Sequence, residues 1–239
     1  MKIRGERECQ ACGTRWSYYE TGSVACPNCG SVRSVGLDDP TEHTAGTATL
    51  DLTEIRALVD DQPIADVAEA AAERCREYVR QSGFVDGGEL RPLDDTYLAA
   101  VELRLAGQEV ARAMRLSDDE EYYFLELLRG ADAGERPPAE EVPESMRAVR
   151  GLAYARAVDA YRSDLRRYLD DNPDGTVRSL LTTVRDQQKR IEALDGDVSP
   201  RTAGELVYVV RAVGRALADD DETALAEAQR RLDEFDIDF

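Results

Sequence analysis

The sequence is poor in lysine, in histidine and in long apolar runs. Lys2 and Lys189 are the only lysines, so 28 of the 30 basic residues are arginine, and His43 is the only histidine. No apolar run approaches the roughly 20 residues that a membrane-spanning helix needs. The first six residues contain no apolar core, so we expect no signal peptide and a cytoplasmic protein without a membrane partner.

The single histidine also narrows the classes of enzyme that the chain allows. A di-iron helical bundle needs a Glu-x-x-His motif on two helices, and a Ser-His or Cys-His pair needs a histidine beside its nucleophile. The adjacent Gly87 and Gly88 belong to no P-loop or dinucleotide fingerprint. His43 lies in a polar stretch, where we expect a solvated side chain. The sequence therefore favours a protein that is not an enzyme.

Acidic residues outnumber basic ones by 49 to 30, which gives a formal net charge of −19. One interpretation is an acidic surface that mimics nucleic acid or binds a basic partner. The other is solubility in a very salty cytoplasm, as in extremely halophilic archaea, and the scarcity of lysine favours it. At 1 M salt the Debye length is only about 3 Å. We therefore expect partners to be held by shape, apolar contact and close hydrogen bonds.

The charge is unevenly distributed along the chain. Residues 1–36, hereafter the ribbon, carry five basic and three acidic side chains, and the other 203 residues carry −21. Residues 37–51 are polar and contain Pro, Gly and four Thr, which is typical of a linker. We therefore predict three parts: the ribbon, a linker over 37–51, and an acidic α-helical domain over 52–239, hereafter the helical body.

Four of the five cysteines form two matched Cys-x-x-Cys pairs, each followed by glycine: Cys9 with Cys12, and Cys26 with Cys29. Two such knuckles supply four sulfurs with the tetrahedral geometry of a structural zinc site. Two disulfides are the alternative, which an intracellular location disfavours. We predict that the four cysteines bind Zn²⁺, although iron remains possible with the same ligands. Cys75 has no nearby partner, and we expect a buried, inert thiol.

The residues around the knuckles predict a small β structure. Thr14–Tyr19 is β-prone, Glu20–Ser23 supplies a turn that leads back to the second knuckle, and Ser31–Val35 alternates as a third short strand. So small a unit has little apolar core. We therefore expect metal binding to contribute most of the folding free energy of the ribbon.

Alternation along the first of these strands assigns its side chains to two faces. We expect Trp16 and Tyr18 to cover the metal, as a packing layer rather than a stacking platform for bases. Arg15 and Tyr19 then face outward, and together with Arg33 they are candidate contacts for a partner.

The two knuckles with an aromatic hairpin between them resemble the zinc ribbon of the transcription factor B type. They are also similar to the ribbons of haloarchaeal proteins, many of them uncharacterised. The resemblance covers residues 1–36. In transcription factor B the ribbon docks on RNA polymerase, so the resemblance implies a zinc-binding adaptor or regulatory protein associated with RNA polymerase or another transcription component. A rubredoxin-like iron electron carrier and a ribbon that binds nucleic acid directly remain open alternatives.

Apolar residues recur at helical spacing throughout the helical body. One example is the stripe of Tyr154, Val158, Tyr161, Leu165 and Tyr168. The predicted helices cover 53–60, 63–81, 94–116, 117–129, 144–169 and 176–194, then one from Ser199-Pro200 and a last one around 225–235. Residues 84–93 and 130–142 are predicted as loops. The short connections favour antiparallel neighbours. We therefore predict a mainly α protein, in which a small three-stranded β zinc ribbon at the N-terminus precedes an antiparallel α-helical bundle.

Overall fold

The N-terminal part of the chain is a small antiparallel β structure. A computed structural model of the protein describes residues 1–235. Its first elements are β1 (Lys2–Ile3), β2 (Glu6–Cys9), β3 (Arg15–Ser17), α1 (Tyr18–Thr21), β4 (Ser34–Gly36) and β5 (Thr41–Glu42). One three-stranded sheet has the order β3–β2–β4, and β1 pairs separately with β5. The predicted three-stranded ribbon is confirmed.

The strand pairing inside the ribbon differs from the prediction. We expected a hairpin between the knuckles, but β3 pairs with β2, which precedes the first knuckle. The reason is that the knuckle itself reverses the chain, so the strands on its two sides meet. Tyr18 and Tyr19 do not extend the strand; they begin α1, which ends at Gly22 in the left-handed conformation.

Helices make up most of the remaining chain, and the predicted mainly α class is confirmed. They are α2 (Thr53–Arg56), α3 (Ile64–Gln81), α4 (Asp95–Arg112), α5 (Asp118–Gly130), α6 (Arg147–Asp171), α7 (Gly175–Ala193), α8 (Pro200–Asp219) and α9 (Glu222–Asp233). The long α6 is central: it packs against α4, α7 and α8, while α3 packs on α4 and α9 on α8. Its Val158, Tyr161 and Leu165 are almost fully buried, as the stripe predicts. Within residues 1–235, no helix is both long and apolar enough to cross a bilayer.

Local sequence signals explain several helix boundaries. Ser117 and Glu120 form the predicted capping box at the start of α5. Ser199 caps α8, and Pro200 occupies its first turn. α4 ends four residues earlier than predicted, because Ala113 adopts an extended conformation. Residues 84–93 are not a plain loop, since β6 (Val85–Asp86) and β7 (Glu89–Leu90) form a hairpin there.

The segment 37–51, which composition predicts as a linker, runs along the helical body. The backbone N–H groups of Thr44 and Ala45 both donate to the carbonyl of Val85. The Thr44 hydroxyl donates to Oδ2 of Asp164 on α6 at 2.6 Å. Leu50 is 4 % exposed and belongs to the main core. The segment therefore packs on the β6–β7 hairpin and on the helices behind it.

Candidate metal centre

The two knuckles have the same backbone geometry. In each, the N–H of the glycine donates to the carbonyl of the first cysteine at 2.9 Å: Gly13 to Cys9, and Gly30 to Cys26. The two glycines have φ values of 71° and 69°, a left-handed conformation that a side chain would resist. The equivalence explains why the same short motif occurs twice in the sequence. Each knuckle turns two sulfurs toward one point.

The four sulfurs come together with the spacing of a tetrahedral site. The Sγ atoms of Cys9, Cys12, Cys26 and Cys29 all lie within 4.8 Å of one another. Cys9 Sγ is 3.7 Å from Cys29 Sγ, and Cys12 Sγ is 3.6 Å from Cys26 Sγ. Four sulfurs about 2.3 Å from a central ion would be about 3.8 Å apart. The cluster therefore fits a metal ion bound by four thiolates.

Trp16 covers one side of the cluster, as predicted. Tyr18, which the alternation predicts to share that role, begins α1 instead and lies beside His43. Trp16 is 7 % exposed and packs with the two buried cysteines of the cluster, Cys9 and Cys26. Its indole N–H donates to the carbonyl of Ser23 at 3.1 Å. The other two cysteines of the cluster, Cys12 and Cys29, are exposed. The site thus has one face against the aromatic ring and one face toward solvent.

The protonated thiols differ in acidity because their hydrogen-bond partners differ. Hydrogen bonds from the Thr14 hydroxyl and backbone N–H lower the pKa of Cys12 to about 6. At Cys29 the N–H of Ser31 lowers the pKa, but the hydrogen bond with Cys12, burial and the neighbouring thiols outweigh it and raise the pKa to about 12. Four sulfurs this close cannot all ionise without a counter-charge. A bound cation would supply that charge, and its binding would be coupled to proton release.

The candidate partner contacts do not share one surface. Arg15 and Arg33 are exposed, as expected, and Arg15 Nε donates to Oε2 of Glu8 at 2.6 Å. Tyr19 does not face outward. Its hydroxyl is 2.6 Å from Oγ1 of Thr41 and donates to the carbonyl of Ile3, so the side chain connects the ribbon to β5.

His43 is not solvated, contrary to the prediction. Its side chain is 8 % exposed, and its ring centroid lies 4.8 Å from that of Tyr19 and 5.9 Å from that of Tyr18. Nδ1 accepts a hydrogen bond from the N–H of Gly87 at 3.2 Å. The histidine is therefore part of the contact between the ribbon and the β6–β7 hairpin. A sequence reading could not see this, because the partners are 24 to 44 residues away.

Cys75 is buried, as predicted. It is fully buried in α3, and burial raises the pKa of its thiol to about 12. It is absent from the four-sulfur cluster. Among the described residues, the candidate metal centre therefore consists of the four knuckle cysteines.

Sequence reasoning missed the exposed apolar residues in and next to the ribbon and a buried ionic group in the helical body. Val24, Val32 and Val35 of the ribbon are 47 %, 72 % and 40 % exposed, and Leu37 beside it is 47 % exposed. In the helical body, Arg150 and Glu102 are both buried and form an ion pair at 2.6 Å. Val35 was visible in the alternation of its strand, whereas a buried arginine has no signal in a single sequence.

Comparison with known proteins adds a family but no activity. No solved structure matches the chain significantly. One family, described as a family of unknown function (DUF7117), matches residues 1–232. The match includes both the ribbon and nearly all of the helical body, so the two parts belong together in the family, whose description mentions neither zinc nor transcription. The chain is a member of the DUF7117 family.

Proposed function

We propose that this protein is a non-enzymatic, zinc-binding adaptor or regulatory protein of the cytoplasm, associated with the transcription machinery. The observation that carries the proposal is the set of four thiols at tetrahedral spacing on two equivalent knuckles. Structural zinc sites use four protein ligands, whereas catalytic zinc keeps an open position for substrate. The ion would therefore hold the ribbon in shape, and the function would lie in what the ribbon contacts.

Metal analysis tests the first part of the proposal. We expect one zinc per chain and a colourless protein. Cys12→Ser is expected to lose the metal and the fold of residues 1–36, while Cys75→Ser keeps both. A variant lacking all four knuckle cysteines that still held one metal per chain would overturn the proposal. A coloured protein with one redox-active iron would replace it with an electron carrier, because the same four sulfurs also suit iron.

The strand register indicates which face of the ribbon is available to a partner. Glu8 lies opposite Arg15 on β3 and opposite Val35 on β4, so these three side chains share a face. Arg33 and Leu37 flank β4 on its two sides, and both are exposed. Cys9 is on the opposite face, because it is adjacent to Glu8. The outer face thus combines apolar and cationic groups, as protein interfaces often do.

A protein partner is better supported than nucleic acid. Nucleic-acid binding depends on free basic groups that neutralise phosphates. Arg15 is already paired with Glu8, and Arg7 donates to the Ser34 hydroxyl at 2.9 and 3.0 Å. Exposed Val35 and Leu37 contribute nothing to phosphate contacts, but they suit an apolar protein surface.

Binding to purified RNA polymerase tests the second part of the proposal. We expect the metal-loaded full chain to bind the polymerase in about 1 M KCl, where long-range charge attraction is screened. Val35→Glu and Arg33→Glu should abolish binding and keep the metal. Arg185→Glu, on the exposed side of α7, is the matched control. If the wild-type protein holds zinc but does not bind the polymerase, the association with transcription is disproved, while the zinc-binding part of the proposal stands.

A further inference from the structure

A cleft opens on the helical body where α6, the start of α8 and the connection between α5 and α6 meet. Its volume is about 560 Å³. It contains none of the cysteines and belongs to a different part of the chain from the metal centre. Among the side chains that line it are Arg136, Arg150, Tyr154 and Arg201.

Arg150 presents one unused donor to this cleft, and its charge is paired with the buried carboxylate of Glu102. Its side chain is 3 % exposed, its Nε donates to Oε1 of Glu102 at 2.6 Å, and its Nη2 donates to the carbonyl of Pro137 at 2.8 Å. Nη1 donates to no residue within 1–235. Because the guanidinium is held on two sides, this unused donor keeps a constant position at the wall of the cleft.

Tyr154 adds a second donor. It is 7 % exposed, and its oxygen accepts a hydrogen bond from Nη1 of Arg136 at 2.9 Å. Its own O–H finds no acceptor among the described residues. Burial raises the pKa of this phenol, so the proton stays in place at neutral pH. Arg136 already occupies one lone pair of the Tyr154 oxygen. The Tyr154 hydroxyl therefore still has its proton to donate to a ligand.

The first turn of α8 contributes further donors. Ser199 caps the N–H of Thr202 at 3.0 Å and accepts from Ala203 through its carbonyl, so the N–H of Arg201 is left without a partner in the described chain. The Arg201 side chain forms no ion pair there either. The positive end of the α8 dipole adds to the attraction that the Arg201 N–H and the Arg201 side chain offer an anion. Beside them, Gly204 has no heavy atom within 4 Å of where a Cβ would lie, so the cleft is open at this point.

The carboxylates that line the cleft are mostly engaged elsewhere. Asp95 accepts from both Arg136 and Arg211, and Glu205 pairs with Arg231 at 2.6 Å. Glu135 is the exception, and it is exposed. The unused groups at the wall are therefore nearly all donors. Such a set matches an acceptor-only ligand, which means an oxyanion.

We propose that this cleft binds the oxyanion group of a small molecule, a carboxylate or a phosphate, through Arg150, Tyr154 and the first turn of α8. The ligand enters beside Gly204, its oxyanion accepts from Nη1 of Arg150 and from the Tyr154 hydroxyl, and Arg201 closes over it. This binding is independent of the metal centre and of any partner of the ribbon.

Calorimetric titration of the metal-loaded full chain tests the proposal. Inorganic phosphate and succinate are titrated separately at fixed ionic strength in NaCl. We expect one binding site for at least one of the two, and the anion that binds identifies the ligand as a phosphate or a carboxylate. Tyr154→Phe and Arg201→Gln should each weaken binding about tenfold, the loss of one hydrogen bond to a charged group.

Two further variants separate a cleft ligand from general anion binding. Arg185→Gln removes an exposed arginine far from the cleft in sequence and should leave the affinity unchanged. Gly204→Glu places a carboxylate at the open side and should abolish binding, and the open space around Gly204 means that the helix accepts the side chain. If neither anion binds, or if Tyr154→Phe, Arg201→Gln and Gly204→Glu all bind as the wild type does, the proposal is wrong.

Discussion

The backbone N–H of Gly87 donates a hydrogen bond to Nδ1 of His43 across 3.2 Å. An Nδ1 that accepts carries no proton, so this hydrogen bond favours the neutral form of the only imidazole of the chain. Oδ1 of Asp86 lies 3.3 Å from the same nitrogen and has no hydrogen-bond donor of its own in the described chain. The junction between ribbon and hairpin is therefore sensitive to the protonation of one side chain.

We predict that stability falls on acidification because of His43. Burial lowers its pKa, and Arg91 and the N-terminal amine lower it further, against the attraction of Asp86. Between the unfolded value, about 6.5, and the lower folded value, the unfolded chain binds more protons, so the free energy of unfolding decreases as pH falls through that window. Urea unfolding of metal-loaded protein between pH 7.5 and 5 measures this.

His43→Gln is the control for that experiment, since it removes the titrating group. Protonation of the thiolates weakens metal binding in both proteins, so the informative quantity is the difference between them. We expect the wild type to lose stability relative to His43→Gln as pH decreases. Parallel pH curves would show that His43 does not titrate in this way.

Gly87→Ala should destabilise the junction by about 1–3 kcal/mol. Gly87 has φ of 59°, and a Cβ there would lie 2.8 Å from Cε2 of Tyr19, closer than real contacts allow. Gly175→Ala is the matched control, because it begins α7, has no positive φ and has open space around it. We expect that change to be neutral or stabilising, up to about 1 kcal/mol. Equal effects in thermal unfolding would contradict the assignment of strain to Gly87.

Arg150→Met should destabilise the helical body by about 3–5 kcal/mol, because it leaves the buried carboxylate of Glu102 without its counter-charge. Tyr123 alone would then donate to that carboxylate. The double variant Glu102→Leu with Arg150→Met removes both charges and should recover most of the loss. Denaturant unfolding of the single and double variants gives the coupling free energy between the two side chains. If their losses in the free energy of unfolding are additive, the two side chains do not form a stabilising ion pair.

Metal removal should unfold the ribbon and leave the helices. Trp16 is the only tryptophan and covers the thiols, so its fluorescence reports on the ribbon alone. On addition of a chelator we expect its emission to shift to longer wavelength, because the ring becomes solvated, while helical circular dichroism changes little. A simultaneous loss of both signals would show that the helical body depends on the metal.

The sequence predicts the parts of this structure that depend on local spacing. The Cys-x-x-Cys-Gly repeats define the four thiols of the cluster, and the capping box at Ser117 and the stripe around Tyr161 define helices, because each signal lies within a few residues. The positions of the His43 and Tyr19 side chains depend on hydrogen bonds with Gly87 and Thr41, which are distant in sequence. Buried polar groups such as Gln188, which is 1 % exposed, are equally invisible, because composition assigns such residues to the surface.

The ribbon and the segment 37–51 are held against each other and against the helical body. Lys2 Nζ contacts Oδ1 of Asp171 at 2.6 Å, the N-terminal amine contacts Glu42, and β1 pairs with β5. A flexible tether between two binding surfaces gives an effective concentration that varies with its length. Here the spacing would be set by packing instead. A partner that contacts the ribbon and the helices together must match that one spacing. Selectivity between partners would then depend on this fixed geometry and not on the length of a flexible linker.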